Sequence, residues 1–213
     1  DEANVFMASV LNDVFVEFEE KYEKIPLFDV ADVNRGKSKH RPRNDKKLFG
    51  GNYPFIQTGD VRNANKYIDT FNETYSEFGL SQSKLWKKAT ICMTIAANIG
   101  DVAILNIDSC FPDSVVGIYS ENNSNDFLYY FLLTLKQQLE SQATTTAQMN
   151  INLKVLQTIG VPLPPLKTQQ KVVSYLDEIS QKMEKIKQIQ KEKMQSLKAL
   201  KASILDQAFK GEL

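Results

Sequence analysis

The sequence predicts an α+β chain, a globular mixed-sheet unit followed by one long helix, and three observations carry that prediction. Between Leu27 and about Gly160, short β-branched and aromatic runs alternate with Gly, Asn and Asp, the texture of strands and turns. Pro162, Pro164 and Pro165 then form a hard stop, because proline lacks the N–H that a helix interior or central strand needs. After them no Gly or Pro recurs until Gly211, and the apolar residues step forward by four and three.

The elements follow in order. Residues 3–22 place Val5, Phe6, Val10, Leu11, Val14, Phe15 and Phe18 at three- and four-residue steps, an amphipathic helix that Pro26 ends. Candidate strands are Leu27–Val33, Tyr53–Thr58, Thr90–Ala96, Val102–Leu105, Val115–Ile118 and Leu156–Val161. A helix over about Asn125–Glu140 interrupts them, its buried side formed by Phe127, Leu128, Tyr130, Phe131, Leu132 and Leu135. Thr168 then offers an N-cap, and the uninterrupted stretch behind it, about 42 residues, would run roughly 63 Å at about 1.5 Å per residue. Val172, Leu176, Ile179, Met183 and Ile186, then Leu197, Leu200 and Ile204, form a 4-3-4-3 seam broken by Gln190 and Lys193. Such a seam is a coiled-coil face that another helix must cover. The expected division is an N-terminal helix over 1–24, a globular domain over 25–165 and a helical spacer over 166–213.

Composition prunes the chemistry. One histidine, His40, lies in the most cationic stretch, so mechanisms built on a buried imidazole base are disfavoured. Cys92 and Cys110 are too few for a disulfide scaffold or a zinc site. Neither a dinucleotide-binding glycine loop nor a phosphate-cradling P-loop is present, and Pro112-Asp113 lacks the neighbouring acidic-x-Lys of a metal-dependent nuclease. No catalytic residue, metal or cofactor is expected. No apolar run approaches the roughly 18–20 residues needed to cross a bilayer, and the acidic start is unlike a secretion signal, so a cytoplasmic protein without membrane contact is expected.

The charge balance is 26 basic against 26 acidic residues, but it is unevenly spread. Residues 1–24 hold seven acids against two lysines, whereas residues 35–47, RGKSKHRPRNDKK, hold seven lysines and arginines against Asp45 alone. With its Gly, Pro, Ser and Asn this basic stretch reads as an exposed loop. Seven cations on one loop would attract a phosphate backbone through counterion release; the plainer reading is a solvated loop. A further pattern links the two ends: Ala8-Ser9-Val10-Leu11-Asn12-Asp13-Val14-Phe15 is matched by Ala202-Ser203-Ile204-Leu205-Asp206-Gln207-Ala208-Phe209, with four of eight residues identical. Either two amphipathic helices coincide, or a unit of helix end, globular domain and long helix is repeated in a longer protein.

These residues bring a family into view. Ile25-Pro26-Leu27-Phe28-Asp29-Val30 with Gly36, Ile56-Gln57-Thr58-Gly59-Asp60-Val61, Ile99-Gly100, Gln148-Met149-Asn150-Ile151-Asn152, Val161-Pro162-Leu163-Pro164-Pro165-Leu166 and the ending Ser203–Leu213 occur in this order. The chain resembles one half of the specificity subunit of type I restriction–modification enzymes, a target-recognition domain with its conserved helical region. It departs from the family pattern at Thr168-Gln169, where Glu-Gln is usual, and at Asn98, where a small hydroxyl residue is common before Ile-Gly. The resemblance implies a non-catalytic subunit that recognises one half of a bipartite double-stranded DNA target. Its partners would be the adenine-modifying methyltransferase subunit, through it the restriction subunit, and a second recognition half or a homodimer partner held through the long helix.

Phosphate positioning calls for cations, and base reading calls for amides, guanidinium groups and hydroxyls at groove edges. The positioning set is Lys37, Lys39, His40, Arg41, Arg43, Lys46 and Lys47. Gln57, Thr58, Asp60, Arg62 and Asn63 follow a strand into a polar turn and offer base-edge donors and acceptors, with Asp60 reading as a turn former that orients Arg62. A second polar loop adds Gln148, Asn150 and Asn152, whose amides could equally satisfy their own backbone. Two rival readings remain at this level: a coiled-coil adaptor that binds protein, and a nuclease.

Overall fold

The computed structural model describes residues 2–96, 98–144 and 151–210. The chain opens with helix α1 (Glu2–Lys21), strand β1 (Lys24–Pro26), a single helical turn α2 (Leu27–Val30) and strand β2 (Asp32–Arg35). After the basic loop come a 3-10 turn (Lys46–Leu48), β3 (Phe49–Phe55), α3 (Thr58–Asn63), β4 (Tyr67–Ile68), β5 (Glu73–Tyr75) and α4 (Glu77–Ser81). The sheet core follows as β6 (Ile91–Thr94), β7 (Val102–Leu105) and β8 (Val115–Tyr119). The chain continues through α5 (Asn125–Thr134), α6 (Lys136–Thr144), α7 (Leu153–Gln157), β9 (Gly160–Pro162) and α8 (Leu166–Lys210).

Among the described residues a five-stranded sheet in the order β2-β8-β6-β7-β4 organises the body, all pairs antiparallel except β4 beside β7. Its central strands read as unbroken apolar runs because both faces are covered. Ile91, Met93, Ile104, Val116 and Ile118 face a large core built with Leu11, Phe15 and Phe18 of α1, Phe127 and Phe131 of α5, and Leu176 of α8. Cys92, Ala103, Leu105 and Val115 face a second core with Ile56, Val61, Trp86 and Phe111. Gly117 makes this second face possible: a Cβ there would lie 2.6 Å from the Trp86 ring, which stacks on Phe111 at 4.7 Å. A separate ribbon, β1 against β9, ties the entry of the body to its exit and brings α1 beside α8.

The α+β class with a long C-terminal helix is what the sequence predicts, and the local differences have physical reasons. Leu27–Val30 is a helical turn rather than the start of a strand, since a helix puts Leu27 and Val30 into the core and leaves Asp29 in solvent. A strand would have alternated Asp29 inward with Leu27. Leu156 likewise belongs to the short α7, capped by Asn152, ahead of β9. The Tyr53–Thr58 strand moves forward in the chain as β3, and Thr58 begins α3. The helix over Asn125–Glu140 divides at Leu135 into α5 and α6. α8 starts two residues before Thr168, because the Pro165 carbonyl accepts the amides of both Thr168 (2.8 Å) and Gln169 (3.1 Å).

Gln169 fastens the first turn of α8. It is buried, and its side chain accepts from the Ser124 amide (2.9 Å) and donates to the Pro164 carbonyl (2.9 Å) and Asn123 Oδ1 (3.1 Å), so every polar atom is answered. Val172 and Leu176 pack on the body, and Ile179 and Met183 are half-buried. From Ile186 the helix stands clear, leaving Ile186, Ile189, Met194, Leu197, Leu200, Ile204, Leu205 and Phe209 exposed, Phe209 at 89%. Among the described residues no helix is long and apolar enough to cross a membrane.

Candidate nucleic-acid interface

The basic loop is an ordered scaffold. Gly36 begins it at a point where a Cβ would lie 2.2 Å from the Pro112 carbonyl, so only glycine lets the loop lie this close to the Phe111-Pro112 backbone. The Gly36 amide donates to Val115 O (2.8 Å), Lys37 N to Phe111 O (3.0 Å) and Lys39 N to Gln82 O (3.0 Å). Ser83 Oγ donates to the Lys37 carbonyl at 2.8 Å. His40 Nε2 meets Asp45 Oδ2 at 2.8 Å, with the ring edge-on to Phe78 at 5.1 Å. Asp45 in turn accepts the Lys47 amide at 3.0 Å and caps the 3-10 turn. That backbone bond, and then His40, hold the Asp45 carboxyl below the usual carboxylate range.

This scaffold sorts the seven positioning residues. His40 is half-buried and bound into the loop. Arg41 folds back to donate to the carbonyls of Ser38 (2.7 Å) and His40 (2.8 Å). Arg43 meets both carboxylate oxygens of Asp113 at 2.9 Å. Lys37, Lys39, Lys46 and Lys47 are exposed and form no ion pair among the described residues. Four lysines thus present unneutralised charge on a fixed frame.

The loop forms one wall of a cleft of about 710 Å³. Ser38, Arg43 and Lys46 line it from the loop, Gln57 and Thr58 from the entry to α3, and Glu73 and Tyr75 from β5. Its floor is aromatic: Phe55 stacks on Tyr75 at 4.0 Å and Phe49 meets Tyr75 edge-on at 5.4 Å. Gly50, at φ 82° in the bulged β3–β5 ribbon, also lines it. Gln57 Nε2 donates to Glu73 Oε2 at 2.8 Å, and the Gln57 side chain also accepts the Asp60 amide in a capping box that opens α3, so both groups are held in place at the cleft.

Asp60 is a turn former: it accepts the Gln57 amide at 2.8 Å and Asn72 Nδ2 at 3.0 Å. Arg62 is oriented by Asn98, whose Oδ1 accepts from Nη1 at 2.8 Å, rather than by Asp60. Asn63 is exposed on the far side of α3, beside Asn65 and Asn72. Asn152 is exposed and spends its Oδ1 on the Lys154 amide (3.3 Å). Gln148 and Asn150 lie outside the described residues. The chain next to them is fixed to the same end of the sheet, with Ile151 N on Ile95 O (2.9 Å) and Arg35 Nη2 on Ile151 O (3.2 Å).

The sequence did not assign Glu73, Asn98 or Asp113 to the site, although Asn98 stood out as a departure from the family pattern and Asp113 in its Pro-Asp pair. Glu73 stands two residues before Tyr75 in β5, so the two share a face of the strand, and that spacing is the trace it leaves. Asn98 and Asp113 are far in sequence from the arginines they hold, so spacing carries no sign of them.

The family model described as the type I restriction modification DNA specificity domain matches residues 19–193. The chain belongs to this family. It is similar to the putative type I restriction enzyme MjaX specificity subunit of Methanocaldococcus jannaschii, 32% identical over 159 residues, covering 74% of this chain and 36% of that one. It is also similar to a putative type I restriction enzyme specificity subunit of Haemophilus influenzae, 29% identical over 165 residues, covering 75% and 40%. The solved HsdS subunit of Thermoanaerobacter tengcongensis aligns over the whole chain and 52% of its own, at 25% identity and a TM-score of 0.72. A chain from a solved type I restriction–modification assembly aligns over the whole chain and 53% of its own, at 25% identity and a TM-score of 0.84. The specificity-domain chain thus spans about half the solved subunits and well under half of these curated relatives.

Proposed function

We propose that this specificity-domain chain recognises one half of a bipartite double-stranded DNA target, as a non-catalytic part of a cytoplasmic type I restriction–modification complex. One observation carries the reading: a cleft has Lys46 in its wall and the unpaired Lys37, Lys39 and Lys47 on the loop that forms this wall, and a 45-residue helix leaves the body with its distal apolar seam bare. Lys37, Lys39, Lys46 and Lys47 hold the phosphates, Arg41 and Arg43 supply cations already oriented, and His40 fixes the loop. Gln57 and Glu73 face base edges from the cleft, with Thr58, Arg62 and Asn63 flanking them; Gln148, Asn150 and Asn152 extend the surface. Residues 25–165 form the recognition unit and 166–213 the spacer, with 1–24 packed against both. The seam of α8 is covered by the helix of a second recognition half, in the same polypeptide or in a second copy. The methyltransferase subunit, and through it the restriction subunit, dock on the assembled pair.

Salt-dependent binding to mixed-sequence duplexes tests this. A protein that neutralises phosphates loses affinity with salt at a log–log slope of about −0.9 per contact. Lys46→Ala with Lys47→Ala should flatten that slope by about two and weaken all sequences alike, whereas Gln57→Ala should relax preference at one position. A slope near zero for the parent protein would indicate the protein-binding adaptor. Cleavage of supercoiled plasmid with Mg²⁺ would indicate the nuclease.

A further inference from the structure

Beyond the first turn of α8, which Gln169 fastens, Lys66 is where the body grips the long helix by directional bonds. Its backbone is left-handed, φ 76°, and its carbonyl accepts the Ile104 amide at 2.8 Å, so the residue is pinned to β7 in a conformation that aims the side chain inward. The side chain is only 11% exposed, and Nζ lies 2.8 Å from Asp126 Oδ1 on α5 and 2.5 Å from Asp177 Oδ1 on α8. The ammonium also sits over the rings of Tyr130 (4.8 Å) and Tyr67 (5.2 Å). The Tyr130 hydroxyl donates to Asp177 and the Tyr67 hydroxyl to Asp126, each at 2.5 Å. One cation, two carboxylates and two phenols therefore close on each other across three elements.

Desolvation offsets much of the attraction in such a cluster, so its contribution to stability is a weak reason for it; what it supplies is direction. The remaining support of α8 in this region is apolar contact with α1 and α5, along which helices can roll and slide. Past Asp177, a crevice of about 390 Å³ separates Asn65–Tyr67 from Ser180, Gln181, Glu184 and Lys185. Among the described residues no side-chain hydrogen bond or ion pair ties the helix to the body beyond Asp177. From Asp177 to Lys210 the helix is a lever of about 50 Å, so a tilt of about ten degrees moves its tip by about 9 Å, between two and three base-pair steps of about 3.4 Å.

We propose that Lys66 is a positioning residue that sets the angle at which α8 leaves the body, and with it the separation at which a second recognition half is presented. The consequence for DNA rests on the target-recognition reading above; the geometry does not. Spin labels on cysteines introduced at Lys88 and Gln195 of the full chain report the angle directly, since the native Cys92 and Cys110 are buried. Dilution with unlabelled protein removes distances between copies. The parent should give one narrow distance distribution. In Lys66→Met, and independently in Asp177→Asn, the distribution should shift or broaden by about 5 Å or more, with the body still folded by circular dichroism at the temperature of the measurement. Distributions that keep their mean and width in both variants overturn the proposal. DNA is absent from the measurement, so a failed salt titration beside a shifted distance removes the DNA reading and leaves the positioning role standing.

Discussion

Gly117 shows how one hydrogen in place of a methyl shapes this protein. Trp86 and Phe111 stack flat against the sheet there, and a Cβ would sit 2.6–2.8 Å from their rings. Gly117→Ala should cost about 1–3 kcal/mol, as overpacking of a close-packed core does, and denaturant titration followed by Trp86 fluorescence would measure it. The Lys66 cluster makes a prediction in pH. Burial pushes the Asp126 carboxyl up, but the hydrogen bonds from Lys66 and Tyr67 outweigh it and leave the group below its ordinary value of 3.8. A depressed folded value means stability present above that ordinary value and lost as pH falls below it. Tyr67 and Tyr130 shift the other way, raised above 10.0 by burial and then by their bonds to Asp126 and Asp177. Their contribution is present below pH 10.0 and lost as pH climbs past it. The unfolding temperature should fall on both flanks, and in Asp126→Asn the decline below about pH 4 should be shallower.

At the scale of elements, α8 divides into a seated half and a bare half. Gln169 and Leu176 are buried, whereas Leu197, Leu200 and Ile204 are exposed. The repeat of residues 8–15 at 202–209 sharpens this contrast, since Leu11 and Phe15 are buried, Phe15 at 3%, while their counterparts Leu205 and Phe209 are exposed. The same amphipathic pattern therefore has a partner at one end of the chain and awaits one at the other. Leu197→Glu with Leu200→Glu should leave the unfolding temperature of the body unchanged. It should abolish any concentration-dependent mass seen by light scattering, because the change falls on the bare seam alone. The long helix and its seam were legible in the sequence, as were α1 and the apolar strands β6, β7 and β8. Leu27–Val30 and Leu156 were not, because four- and five-residue apolar segments fit either period and only the core decides which side chains turn inward.

For the whole molecule, the α+β body with its projecting helix and the membership in the type I specificity-domain family were both within reach of the sequence. Proline punctuation, the uninterrupted seam and the ordered short motifs are local or collinear signals. So was the cationic loop, because charge clusters need no fold to be seen. The tertiary structure alone decided which of those cations are free. Asp113 answers Arg43 from 70 residues away, Asn98 answers Arg62 from 36, and Lys66 reaches Asp177 across 111. Periodicity records which way a side chain faces; it carries no information on what it meets, because partners distant in sequence are brought together only when the sheet and helices close on a common core.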